Sequence, residues 1–68
     1  MTSSSEIGNL IRNERKRLGV TQKDVALAAG TGLRFLVELE QGKPTVQLGK
    51  VLQVLQALGM ELEVKGSS

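Results

Sequence analysis

Hydrophobic positions along this chain recur at helical intervals for most of its length and then switch to strict alternation near the end. Ile7, Leu10, Ile11 and Leu18 make one apolar stripe on a first helix, which Ser3 introduces with Glu6 three positions on, the pattern of a capping box. Ser4 and Ser5 are alternative caps, so the start is fixed only to within a residue or two. Gly19 closes the helix, and Lys16 and Arg17 place positive charge near its C-terminus. Thr21 caps a second helix with Gln22, Lys23 and Asp24 in its first turn and Val25, Ala26 and Ala29 on its inner side. A sharp turn at Gly30, where glycine supplies the positive φ, leads to a third helix over about residues 32–41, with Leu36 and Leu39 inward. After the Gly42-Lys43-Pro44 turn a fourth helix begins between Thr45 and Gln47. Its predicted inner stripe is Leu48, Val51, Leu52, Leu55 and Leu58, and Gly59 closes it. Gly49 inside it costs about 1 kcal/mol relative to alanine, which close packing would explain. Residues 60–65 (MELEVK) alternate as a strand with one apolar face does. The expected fold is all-α, a bundle of four short helices over residues 3–59, followed by a terminal β-strand at 60–65 and a disordered tail at 66–68.

Length sharpens this picture. A chain of 68 residues is one domain, and it buries only about 60% of the surface it exposes when unfolded. A core of that size rarely supplies more than about 3–5 kcal/mol, so small folds usually add a staple. The absence of Cys and His excludes disulfides and a Cys/His zinc site. Self-association is the staple left, and no cofactor or metal is expected. No signal-peptide pattern and no apolar run of about 18 residues is present, so neither secretion nor membrane insertion is expected. Zero Cys fits a reducing, cytoplasmic setting.

The net charge of +2 says little, but its distribution says more. Residues 12–50 hold eight basic side chains against four acidic ones. A phosphate-binding surface needs such a basic body, and a plain solvated surface resembles it. Without His, Cys or Tyr, a glycine-rich phosphate loop or paired carboxylates, the chain is not expected to be an enzyme.

Residues 21–42 read as helix, tight turn and helix, an arrangement that pushes the front of the second helix into the major groove of DNA. With Thr21-Gln22, Ala26, Gly30, Leu36, Leu39-Glu40 and Gly42, and with the trailing Ala57-Leu58-Gly59, residues 7–59 resemble the Xre/Cro class of bacterial and phage repressors. Within that class the chain is similar to the short HipB-type antitoxins that partner a HipA-like kinase toxin.

The resemblance implies a lambda-repressor-like bundle and specific roles for its residues. Gln22 would direct its amide at a backbone phosphate. Thr31, Gly32, Leu33, Arg34 and Glu38 would face the bases, with Arg34 able to grip guanine in a bidentate manner worth about 1–3 kcal/mol of discrimination. Many relatives carry polar residues where Gly32 and Leu33 stand, so direct readout would lean on Arg34 and on DNA shape. Glu38 either accepts from a cytosine amino group or orients Arg34, one turn earlier; the second role is favoured. Lys43 and the amides near Gln47 would add phosphate contacts, with Arg12 and Lys23 as extras. Arg15 and Glu40 would form a structural ion pair joining helix one to the end of helix three. Phe35 and Val37 are surplus to the core stripe. Phe35 packs beneath helix four, meets a subunit, or approaches sugar and methyl groups, with core packing favoured.

The terminal strand has no partner within the chain, and a second copy is the simplest one, antiparallel across a twofold axis. Met60, Leu62 and Val64 would cover the helix ends in that homodimer, as in a HipB-like protein. Cross-strand charge favours a register centred on Glu63 or Val64 over one centred on Leu62. Two recognition helices about 34 Å apart would match an inverted repeat in double-stranded DNA. The expected function is a bacterial, nucleoid-associated homodimeric repressor, the antitoxin of a toxin–antitoxin pair. A stand-alone phage- or plasmid-type repressor and a protein-binding adaptor are the alternatives.

Overall fold

The computed structural model describes residues 3–66. Of the tail expected at 66–68, residues 67 and 68 therefore lie outside the described residues. Four helices follow in order: α1 (Ser4–Leu18), α2 (Gln22–Ala29), α3 (Leu33–Glu40) and α4 (Leu48–Ala57).

Local chemistry explains their limits. Ser3 caps α1, its hydroxyl accepting from the Glu6 amide at 3.2 Å. Thr21 caps α2 in a complete capping box. Its Oγ1 accepts from the Asp24 amide, its own amide donates to the Asp24 carboxylate, and both bonds are 3.1 Å long. The Thr21 amide first, and then its hydroxyl, hold the Asp24 carboxyl below its ordinary range. Gly30 ends α2 at φ +73°, and the Thr31 amide reaches back to the Ala26 carbonyl at 3.0 Å. Gly42 closes the turn after α3 at φ +88° and lies so close to α1 that a Cβ there would sit 2.7 Å from Ser5 Oγ.

The core is one cluster of Ile11, Val25, Ala26, Leu36, Leu39, Val51, Val54, Leu55 and Leu58. α2 packs on both α3 and α4, while α1 packs chiefly on α3. This layout corrects two predicted stripes. On α1, Leu10 and Leu18 are exposed, because a helix with one main partner buries only a narrow strip, here Gly8 and Ile11. On α4, Val54 is fully buried whereas Leu48 and Leu52 are exposed. The stripe 51, 54, 55, 58 is rotated off Leu52, and Leu48, opening the helix, lines an apolar cleft with Ile7, Leu39, Pro44 and Val46.

Gly8 was not part of the expected core, yet the fold needs it. A methyl group there would lie 2.8 Å from the Glu40 carbonyl oxygen and closer still to that of Leu39, so α1 crosses α3 backbone to backbone. Gly49 shows the reverse. Nothing approaches within 4 Å of a Cβ at that position, and the expected close packing is not there.

Met60 donates its amide to the Leu55 carbonyl at 2.8 Å and packs partly on the core. Residues 61–66 are exposed and, within the single chain, join no strand pairing. An alternating segment alone has no backbone partner, so nothing in one copy can make it a strand.

Candidate nucleic-acid interface

The turn at Gly30 sets α3 behind α2 with its first residues outward. Gly32 is the N-cap of α3 and offers no side-chain bond to the helix amides, so its opening amides stay free of a capping group. Leu33 and Arg34 follow, both exposed. Among the described residues Arg34 has no carboxylate partner, which leaves its guanidinium available to an outside acceptor. Gln47 likewise caps α4 without a side-chain bond. Arg12 and Lys23 are exposed, consistent with cations able to meet a polyanion.

Two of the predicted readers are placed differently. Thr31 buries its hydroxyl, which has no hydrogen-bond partner, so that oxygen is not presented to a base edge. Glu38 does not orient Arg34. It accepts instead from Lys43, Nζ to Oε2 at 3.1 Å, because the turn at Gly42 folds the chain back until the Lys43 amide bonds the Glu38 carbonyl at 3.1 Å. Lys43, expected on a phosphate, is therefore held by a carboxylate of α3.

Behind this face lies a buried polar centre. Glu40, the last residue of α3, accepts from Arg15 Nε at 2.7 Å and Arg15 Nη2 at 3.1 Å. Arg15 Nη1 donates to the Val20 carbonyl at 3.0 Å, tying the α1–α2 link into the same group. The two side chains are only 12% and 4% exposed, so the pair is the internal one expected. The bond to Glu40 raises the Arg15 pKa above its ordinary value. Gln22 joins them, donating from Nε2 to Glu40 Oε1 at 3.1 Å. The amide expected on a backbone phosphate thus has one proton engaged by Glu40, and the second is left for another acceptor.

A cleft of about 400 Å³ opens beside this centre, lined by Arg12, Arg15, Gln22, Val37, Glu40 and Gln41. Val37 is thus a wall of the cleft, and Gln41 is a polar rim residue that no spacing rule singled out. Phe35 packs partly on the core, and Lys50 Nζ stands 5.7 Å from its ring centre, within cation–π range. Sequence spacing did not mark Lys50 either, since the contact spans two helices. On α1, Arg17 is taken by Glu14, whose carboxyl it holds below the ordinary range. No helix among the described residues is long and apolar enough to cross a membrane.

A short helix capped by Thr21, a left-handed turn at Gly30 and a second helix with an open front together define a helix-turn-helix DNA-binding unit. The helix-turn-helix family model matches residues 11–65, and the chain belongs to this Xre-like helix-turn-helix family. It is 53% identical over 60 residues to the "Uncharacterized HTH-type transcriptional regulator y4mF" of Sinorhizobium fredii, covering 88% of this chain and 79% of that one. A second HTH-type transcriptional regulator, from Methanothermobacter thermautotrophicus, is 36% identical over 52 residues, with 76% and 75% covered. The family is one of transcriptional regulators rather than enzymes.

Among the solved structures that share the fold are two HipB complexes. One is described as a "HipB-O4 20mer complex", with TM-score 0.88, 19% identity, and 100% of this chain and 96% of that chain covered. The other is described as "Structure of HipA-HipB-O2-O3 complex", with TM-score 0.89, 19% identity and the same coverage.

Proposed function

We propose that this protein is a homodimeric, sequence-specific transcriptional repressor that binds an inverted-repeat operator and serves as the HipB-like antitoxin of a kinase toxin. The observation that carries the DNA half is the front of α3, where Arg34 is exposed and unpaired behind a glycine cap with open amides. In this reading Arg34 grips a guanine edge, Leu33 touches a thymine methyl group, and Gly32 allows the backbone close approach. Gln22, Arg12, Lys23 and the amides near Gln47 hold phosphates. The exposed alternating tail supports pairing between two copies through Met60, Leu62 and Val64, with a register centred on Glu63 or Val64. The similarity in fold to HipB, solved as a HipB-O4 20mer complex and in a HipA-HipB-O2-O3 complex, supports the antitoxin role.

Selection from a random oligonucleotide pool tests the reading. The expected result is a palindrome with half-sites about one helical turn apart, and Arg34→Ala should relax preference at one position of each half-site. A selected set without a palindrome would overturn the dimeric repressor. Repeated pull-downs from the native host without a kinase-like protein would remove the antitoxin half.

Exposed Leu33, with Leu27 on α2 more exposed still, favours one second reading, a protein-binding adaptor on the same fold. Affinity for random DNA that falls steeply with salt separates the two, because phosphate neutralisation releases counterions.

A further inference from the structure

We propose that Glu38 is a specificity-determining residue that withholds Lys43 from DNA phosphates and so weakens binding to arbitrary duplexes more than binding to the operator. The inference rests on the DNA-binding reading above. Lys43 Nζ lies 3.1 Å from Glu38 Oε2, and the side chains are 46% and 32% exposed, so a phosphate can compete for the lysine. The contact is built into the chain, since the Lys43 amide also bonds the Glu38 carbonyl at 3.1 Å across the turn. Arg34, on the same helix, has no such restraint among the described residues. The loop cation after the reading helix is thus quenched while the reading arginine is free.

This asymmetry bears differently on right and wrong sequences. Binding to an arbitrary duplex depends on phosphate contacts alone. There Lys43 must either leave Glu38, turning a bare carboxylate toward the polyanion, or contribute nothing. On the operator, Arg34 supplies the base contact that seats α3, and the Glu38–Lys43 pair remains closed beside the groove. Glu38 therefore weakens non-specific binding more than operator binding.

The test titrates the full chain with a random-sequence duplex and with the selected operator duplex over a series of salt concentrations. Wild type, Glu38→Gln, Lys43→Ala and the double variant are compared. Glu38→Gln should tighten binding to the random duplex about two- to fivefold, the range of an exposed ion pair. It should also steepen the dependence of log K on log salt by about 0.9, the mark of one more neutralised phosphate. Operator binding should change less, and both effects should vanish in the Lys43→Ala background. Equal tightening on both duplexes, an unchanged salt slope, or effects that persist without Lys43 would overturn the proposal. So would a loss of operator affinity that persists without Lys43, which would assign Glu38 to base reading. Failure of the wild type to bind either duplex in low salt would instead bring down the DNA-binding reading, and this inference with it.

Discussion

Gln22 and Glu40 meet across the helix-turn-helix, the amide Nε2 of one donating to carboxylate Oε1 of the other at 3.1 Å. The first residue of α2 and the last of α3 are thereby fixed to one another, and Arg15 of α1 grips the same carboxylate with two nitrogens. Relative placement of α2 and α3 is therefore set by one buried acid.

Substitutions around that acid should separate stability from binding. Arg15→Ala strands Glu40 in the interior, and breaking a buried pair costs about 3–5 kcal/mol. In a domain this small that is most or all of the folding free energy. Circular dichroism should show a melt lowered by tens of degrees or lost altogether. Gln22→Ala leaves Glu40 both of its bonds to Arg15, so the melt should shift far less while DNA affinity falls across all sequences alike. An Arg15→Ala protein with unchanged melting but weakened DNA binding would move Arg15 from the interior to the DNA surface.

Two glycines within helices should respond to alanine in opposite directions. Gly49 faces open space, so Gly49→Ala keeps every contact and gains about 1 kcal/mol of helix propensity. For a domain of this size that raises the melting temperature by about 4–8 °C. At Gly8 the same propensity gain is outweighed, because the methyl group meets two carbonyl oxygens of α3 and backbone cannot swing aside. Gly8→Ala should destabilise by about 1–3 kcal/mol, as overpacking does. Thermal melts of the two variants beside wild type decide both; equal shifts would mean that α1 and α3 cross less tightly than described.

The sequence showed the local features well and the relational ones poorly, and these residues explain why. Ser3, Thr21, Gly30 and Gly42 act through bonds within a few positions, so their roles are written in adjacent residues. The rotation of a helix about its own axis is set by its neighbours, which is why Val54 displaced Leu52 from the core. Gly8 reads as a penalty in a helix until the distant carbonyls of Leu39 and Glu40 are placed against it. The Arg15–Glu40 pair followed from family spacing, and Arg34 stands exposed where that spacing put it, its proposed contact with a base aside. The partner of Glu38 did not follow, since the i,i+4 rule points to Arg34 while the turn at Gly42 delivers Lys43.

Acid should loosen the start of α2. The Asp24 carboxyl is lowered first by the backbone amide of Thr21 and then by its hydroxyl, so it is depressed in the folded chain relative to the unfolded one. A depressed carboxyl contributes stability above its unfolded pKa, and that contribution is lost as pH falls through the folded value. Glu14, lowered chiefly by its hydrogen bond to Arg17, acts in the same direction. Melting temperature should be flat near neutrality and drop once pH falls below the ordinary carboxylate range. Asp24→Asn should be less stable than wild type at neutral pH, with the gap narrowing as acid protonates the wild-type carboxyl. A gap independent of pH would mean that the capping box acts through shape rather than charge.

The tail offers the sharpest separation of assembly from folding. Leu62 is 48% exposed and Val64 89% exposed, so neither holds the single domain together. Both lie on the alternating face with Met60, which itself packs partly on the core. If a second copy covers that face, Leu62→Ser with Val64→Ser removes apolar area from the interface alone. Sedimentation equilibrium should then find single chains at concentrations where wild type is paired, while circular dichroism still reports a helical fold. Operator affinity should fall steeply, because two half-sites would have to be engaged by independent molecules rather than by one linked pair. Leu55→Ser, striking the core instead, should unfold the chain at any concentration. A wild type that sediments as a single chain even when concentrated would leave the alternation without a partner and refute the pairing.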